Sequence, residues 1–419
     1  MRLTKRFSLF FFTLLHLSIA APMATVWAQA NDEIIRANVG CLYPLTGPAG
    51  LYGRDSVVAI KMAQDFIKKS QRYKSLDLRV KIGDTRSKSL RAVQLARSFI
   101  DKGQVDFLCG VVSSRIALAV NEATRKRNVF FIGTDHASPV IVSEALQPYY
   151  FRMSNGTRQS MLAGAKYIKT NYSKTKRLKI AFIGPDYDYG YSAWRDLRSF
   201  LKKQKVDFEI SGEFWPKLFE QNYAIYIKKL IDLKADIVIN GHWGHDLVSF
   251  IKQARNSSLF KQSVFMNFDA GGNFEVLSEL GADMPLGLVL SARHHVNWPE
   301  TQENKSFVET FFSRTGRYPS YAAEGAYSGI MAIAEAVRQA GTVLDKEKLR
   351  DVFENLKLKL PEDPHGFMSY MDPLSHQILQ VQAIGKTVAN DHFNPAKVLL
   401  SDWSIYYPPS SWPLLKEKK

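Results

Sequence analysis

The side chains with chemistry to offer fall in a few short clusters, each where an apolar run gives way to small and polar residues. The first is Pro44-Leu45-Thr46-Gly47-Pro48-Ala49-Gly50-Leu51-Tyr52-Gly53, a tight loop that presents one ring, Tyr52. The second, Gly110-Val111-Val112-Ser113-Ser114-Arg115, sets two hydroxyls in front of a helical pattern. Ser113 and Ser114 can cap that helix, and its free backbone N–H groups at the positive end of the dipole also suit a carboxylate. The third is Ile132-Gly133-Thr134-Asp135-His136-Ala137-Ser138-Pro139. The second half of the chain adds Asn240-Gly241-His242-Trp243-Gly244-His245-Asp246 and Asn267-Phe268-Asp269-Ala270-Gly271-Gly272.

These residues point to binding and not to catalysis. His242-x-x-His245-Asp246 has the look of a metal half-site, but a third ligand at a defined spacing is missing, and zinc needs one. Asp135-His136 has the form of an acid–base pair, yet no G-x-S-x-G elbow, zinc-protease helix, P-loop or Cys–His pairing accompanies it. His294-His295 is read as polar loop. The expectation is a chain without catalytic chemistry, metal or cofactor.

The elements that must hold these clusters alternate strand with helix. Ala37–Tyr43, Leu76–Ile82, Phe107–Val112 and Val129–Ile132 read as strands, with helical spacing between them at Val58, Met62 and Phe66, at Leu90 to Ile100 and at Ile116 to Arg125. The pattern restarts with a helix at Met161–Lys169. Strands follow at Leu178–Ile183, Phe208–Ile210, Asp236–Asn240, Val264–Asn267 and Leu286–Leu290, again separated by helices. Such alternation means βαβ units, and it predicts an α/β protein of two doubly wound parallel-sheet lobes. Ligands of such sheets bind at the carboxyl ends of the strands, where all the clusters above fall. Two helices, Phe307–Thr315 and Glu324–Ala340, then lead to a strand-prone stretch, Gly366–Lys386, and an extended proline-bearing tail over 395–419.

The N-terminus sets the compartment. Arg2, Lys5 and Arg6 precede an apolar run from Phe7 to about Ala21, and Ala28-Gln29-Ala30 follows at cleavage distance. Thr13, His16 and Ser18 interrupt the run, which falls short of the roughly 18 apolar residues of a span. A signal peptide over 1–30, cleavage near Ala30 and a periplasmic mature chain are expected. The formal charge is +16, but the cations are scattered along helices and no nucleic-acid-binding signature appears. Nucleic acid is set aside, leaving a basic solvated surface or attraction to an anionic membrane or ligand. Cys41 and Cys109 both lie inside apolar strand-like runs. An exported chain can hold a disulfide; the two are read here as buried, unlinked thiols behaving as small hydrophobes, with the disulfide as the open alternative.

Taken together, Leu45-Thr46-Gly47-Pro48…Tyr52-Gly53, Gly110…Ser113-Ser114, Ile183-Gly184…Asp188-Tyr189-Gly190, Arg314…Tyr318-Pro319…Tyr327 and Ser375-His376-Gln377…Gln380 resemble the type I periplasmic binding proteins. Within them the chain is similar to the branched-chain amino acid and amide receptor family of ABC importers. The resemblance implies a clamshell whose lobes are joined by a three-crossover hinge, with 31–152 and 293–375 in lobe 1 and 153–292 and 376–394 in lobe 2. It implies that Ser114, Asp135 and Ala137 hold a ligand's carboxylate and ammonium, that Tyr52 is an aromatic wall, that Tyr189 and Trp243 fold over the ligand, and that Asp269 receives the ammonium. The implied partners are a small amino acid, amide or amine and an inner-membrane ABC permease/ATPase complex; a ligand sensor signalling to a membrane partner is the second reading.

Two positions depart from the family's amino-acid receptors: Ala137 stands where they place Thr, and Asp135 where they place a small residue. With Asp269, Asp135 puts two carboxylates into one cleft. Unpaired buried carboxylates are costly. A donor-rich ligand group is therefore expected between them, unless a protein cation such as Arg115 or His136 pairs with Asp135. On that reading Asp269→Ala weakens binding and leaves the fold standing.

Overall fold

The computed structural model describes residues 34–173 and 177–409; the expected signal peptide and its cleavage point lie outside them. The described strands are β1 Ile35–Tyr43, β2 Leu76–Asp84, β3 Phe107–Gly110, β4 Phe130–Gly133, β5 Tyr150–Arg152, β6 Leu178–Ile183, β7 Phe208–Phe214, β8 Ile237–Asn240, β9 Val264–Asn267, β10 Val289–Ser291, β11 Lys357–Leu358, β12 Ser369–Asp372, β13 Gln377–Leu379, β14 Gln382–Ala389 and β15 Val398–Tyr406. They form two sheets, one of eight strands in the order β11-β12-β13-β5-β4-β3-β1-β2, the other of seven in the order β15-β14-β10-β9-β8-β6-β7.

Both sheets are parallel at heart with antiparallel strands at one side. In the first, β2, β1, β3, β4, β5 and β13 run parallel, β12 turns back against β13, and β11 is antiparallel to β12. In the second, β7, β6, β8, β9 and β10 are parallel, β14 runs against β10, and β15 is antiparallel to β14. Helices cover both faces, so the inner strands are buried throughout and read as unbroken apolar runs: β3, β4 and β8 have no exposed residue. The helix Gly50–Lys69 packs along Tyr321–Ala340 on the first sheet, and Thr157–Asn171 along Asp188–Lys203 on the second.

The chain passes between the sheets three times: after β5, after β10, and between β13 and β14 at Gln380–Val381. Two expected boundaries move. Gln377–Leu379 belongs to the first sheet, paired with Arg152 of β5, although 376–394 was assigned to the second lobe. The segment read as a tail from 395 contains β15, which pairs along most of β14. Its prolines, Pro408 and Pro409, come after the strand and do not interrupt it.

The cysteines need a correction. Cys41 and Cys109 form a disulfide, with Cα atoms 4.4 Å apart. The physical reason is the strand order: β1 lies between β2 and β3, and the register sets Cys41 opposite Cys109. Nothing in the two isolated runs reveals that adjacency.

Candidate functional site

Every cluster singled out in the sequence follows the carboxyl end of a parallel strand, and the two rows of strand ends meet. From the first sheet, the segment after β1 carries Tyr52 at the start of the helix Gly50–Lys69, where it is 5% exposed. Its ring lies 5.3 Å from that of Tyr321, at the start of the helix Tyr321–Ala340. After β3, Ser113 precedes the helix Ser114–Thr124. A cleft of about 340 Å³ opens there, lined by Ser113, Arg115 and Lys88 on one side and by Tyr187, Phe219 and Trp243 on the other. Cations and a helix N-terminus on its rim make this mouth hospitable to a carboxylate.

Contrary to expectation neither serine caps the helix with its side chain: Ser113 holds the N-cap position without a capping hydrogen bond, and Ser114 turns to a neighbouring loop. Its Oγ accepts hydrogen bonds from the backbone N–H groups of Ala137 and Ser138 at 3.3 and 3.2 Å, and so holds the loop after β4 in place. On that loop Asp135 is fully buried. Thr134 Oγ1 donates to its Oδ2 at 2.6 Å and itself accepts from the Tyr43 hydroxyl, while Oδ1 has no hydrogen-bond partner among the described residues. Gly325 is what lets helix and loop approach so closely, since a Cβ there would sit 2.6 Å from that Oδ1 and 2.3 Å from the Thr134 carbonyl. Burial pushes the Asp135 carboxyl well above the usual carboxylate range, against the pull of Thr134 and of the nearby Arg293. That shift favours its protonated form.

The second sheet supplies Asp269 after β9 and the aromatic residues after β6 and β8. Asp269 is enclosed by donors: Ser160 Oγ to Oδ1 at 2.8 Å, Tyr189 Oη to Oδ2 at 2.8 Å and Arg293 Nη2 to Oδ2 at 2.6 Å. Burial alone would raise this carboxyl; the Arg293 guanidinium and the two hydroxyls outweigh it and hold the group below its ordinary value, ionised. Tyr187 and Tyr189 stack with centroids 5.9 Å apart and pack with Ala137 of the other sheet. The Trp243 indole donates to the Tyr187 hydroxyl at 2.9 Å, and its ring lies 6.1 Å from Tyr52.

One unbroken run of contacts thus joins Tyr52 to Trp243, Tyr187, Tyr189, Asp269 and Arg293, and returns through Arg293 to the Asp135 backbone carbonyl. Arg293 was missed in the sequence. It follows β10, the last parallel strand of the second sheet, and its charge beside two carboxylates at strand ends was the available signal. The partners considered for Asp135 are engaged elsewhere. His136 donates from Nδ1 to the Val111 carbonyl, accepts at Nε2 from Tyr150 Oη and is pushed by burial down to about 3, so it is neutral. Arg115 lies 5.9 Å over the Tyr187 ring. The premise of two uncompensated carboxylates fails for Asp269, which is paired with Arg293.

The remaining histidines are structural in their surroundings. His242 is buried edge-on against Tyr223, bonded to Asn240 and pushed down to about 3 by burial, whereas His245 is exposed and faces Glu279 at 3.8 Å. His294 hydrogen-bonds to Asn304. Among the described residues no three His, Cys, Asp or Glu side chains are grouped to hold a metal ion.

Comparison with known proteins agrees with this architecture. A family model described as periplasmic binding protein matches residues 37–387. The chain is 27% identical over 344 residues to the Leu/Ile/Val-binding protein homolog 7 of Brucella suis, covering 78% of this chain and 82% of that one. It is 24% identical over 346 residues to the leucine-, isoleucine-, valine-, threonine- and alanine-binding protein of Pseudomonas aeruginosa, covering 82% and 87%. Among solved structures, the ABC-transporter solute-binding protein of Rhodopseudomonas palustris BisB5, in complex with 3,4-dihydroxybenzoic acid, superposes with a TM-score of 0.78 at 22% identity, over 89% of this chain and 97% of that one. Strand-end clusters facing one another across two doubly wound sheets, over nearly the whole described chain, place this protein in the type I periplasmic binding proteins of the Leu/Ile/Val-binding-protein-like family.

Proposed function

We propose that this chain is an exported receptor that captures a small, amino-acid-sized molecule between its two sheets and delivers it to an ABC permease and its ATPase in the inner membrane. The observation that carries the reading is the meeting of the two rows of strand ends, with Tyr52 of one half against Trp243 of the other. A ligand that enters at the Ser113–Arg115 helix start and is covered by Tyr187, Tyr189 and Trp243 touches both halves at once, and its binding free energy then favours their approach. The relatives' names support binding of amino acids, and the Rhodopseudomonas structure, a solute-binding protein of an ABC transporter, supports transport and a fold of this build taking a carboxylate-bearing ring. In this reading Ser113 and Ser114 face the ligand's carboxylate, Asp135 braces the loop behind them, Ala137 leaves room beside it, and Asp269 acts through Arg293.

The test is to release whatever co-purifies with the protein, identify it by mass spectrometry, and titrate it back by calorimetry and small-angle scattering. One molecule bound per chain with a reduced radius of gyration is expected. An unchanged radius at saturation would remove closure from the reading, and a chain that binds none of a broad panel of organic acids, amino acids and amides would overturn it.

A further inference from the structure

Arg293 occupies the place beside Asp269 that the family resemblance assigns to a ligand's ammonium. Asp269 already accepts three hydrogen bonds from the protein, from Ser160, Tyr189 and Arg293, and both of its oxygens are engaged. The Asp269–Arg293 pair is buried, with side chains 2% and 8% exposed. The guanidinium is fixed on two further sides: its Nη1 donates to the Asp135 backbone carbonyl, and its face lies 5.0 Å from the centroid of the Tyr321 ring. An incoming ammonium would have to expel Arg293 from Asp269 and leave a buried cation without its partner, the costly way to break a buried pair.

The charges around the site point the same way. Asp269 and Arg293 cancel. Arg152, a second fully buried guanidinium, donates to the side-chain oxygen of Gln377 and the carbonyl of Ser138 and has no carboxylate among its hydrogen-bond partners. Arg115 and Lys88 add positive charge at the mouth. Of the carboxyls nearby, Asp135 has one oxygen taken by the Thr134 hydroxyl and the other enclosed beside Gly325, while Glu275 lies against Tyr52 and is pushed up by burial. The cations at the mouth attract an anion and repel an added ammonium. Its walls are rich in rings: Tyr187, Phe219 and Trp243 line it, with Tyr52 packed against Trp243 and Tyr189 against Tyr187.

We propose that Arg293 serves as a built-in stand-in for the α-ammonium, so that the receptor selects carboxylates lacking an α-amino group, and aromatic ones in particular. The inference rests on the receptor reading above and names its ligand class. Pairs of probes that differ only in the amino group test it: 3-phenylpropanoate against L-phenylalanine, and 4-methylpentanoate against L-leucine, titrated calorimetrically into wild-type protein stripped of ligand by unfolding and refolding. Each des-amino acid is expected to bind at least about tenfold more tightly than its twin. Arg293→Gln, which frees Asp269, should narrow or invert the ratio, and Arg293→Lys, which keeps the charge, should preserve it. Should the Gln variant fail to fold, the wild-type ratios decide alone. Amino acids binding as tightly as their twins would overturn the inference while leaving the receptor reading intact. Failure of both members of both pairs, with no small molecule from a metabolite extract raising the melting temperature, would overturn the two together.

Discussion

The ring of Tyr52 lies 6.1 Å from that of Trp243 at an interplanar angle of 56°, and beside it Gly244 holds a φ of +53° with its Cα turned to the Tyr52 hydroxyl. A Cβ at Gly244 would stand 2.7 Å from that oxygen, in a backbone conformation that L side chains rarely adopt. Gly244→Ala is therefore expected to weaken ligand binding by about 1–3 kcal/mol through strain and a forced separation of the two halves. Calorimetry reads the affinity and scattering the radius; wild-type values of both would separate this contact from closure.

Removal of Asp269 should be felt in the fold as well as in the cleft. The sequence alone made Asp269 a ligand residue whose loss the fold would tolerate, but the structure makes it the buried partner of Arg293. Asp269→Ala strands that guanidinium and is expected to cost about 3–5 kcal/mol of unfolding free energy, with the double substitution Asp269→Ala/Arg293→Met recovering part of it. Urea melts of the three proteins measure this. A single variant as stable as wild type would show that the pair contributes nothing.

The disulfide gives a prediction independent of the cleft. Cys41 and Cys109 are 68 residues apart, and the loop they close restricts the unfolded chain by about 4 kcal/mol on the chain-entropy account. Cys41→Ala/Cys109→Ala, or wild type under reductant, should lower the urea midpoint accordingly. Equal midpoints in oxidised and reduced protein would argue that the linkage does not form.

A further expectation concerns pH. Glu324, Glu362 and Asp363 are buried together near the third crossing, where Gln380 donates to Glu362 and Ser328 to Glu324. Burial raises all three; Glu324 goes up to about 7 and Asp363 to about 6, and the charge of Glu324 raises Glu362 further. Carboxyls whose folded values lie above their unfolded ones stabilise the protein fully below the unfolded value, and that stability is lost as pH rises through the folded one. Between about pH 4.5 and 7 the wild type should lose up to roughly 3 kcal/mol from Glu324. Glu324→Gln should lose less over the same range. The quantity to measure is the difference in melting temperature between variant and wild type from pH 5 to pH 8; a difference that does not grow in favour of the variant contradicts the account.

The parts of this structure that were legible in the sequence are those written locally. Runs such as Phe107–Gly110 and Ile237–Asn240 announce buried parallel strands because both faces of such strands are covered, and the small and polar residues behind them announce strand ends. Tyr52, Ser114, Asp135, Tyr189, Trp243 and Asp269 come together where the two rows of strand ends meet because each follows such an end. What was hidden depends on which strand lies beside which. The Cys41–Cys109 link needs the order β2-β1-β3, and the assignment of Gln377–Leu379 to the first sheet needs its pairing with Arg152. Arg293 escaped for a related reason: as one cation among the many that give the chain its +16 charge, it stands out only when Asp135 and Asp269 are brought to either side of it.

The placement of β13 has a consequence for how the protein is made. It is an interior strand, parallel to β5 on one side and antiparallel to β12 on the other, yet Gln377 lies 225 residues beyond the Arg152 with which it pairs. During synthesis β5 therefore emerges long before its neighbour, and the first sheet remains an open edge until nearly the whole chain has been made. Contacts so distant in sequence form late and slowly. The parallel core of the second sheet, β6 to β10, is therefore complete in the nascent chain before the first sheet can be closed.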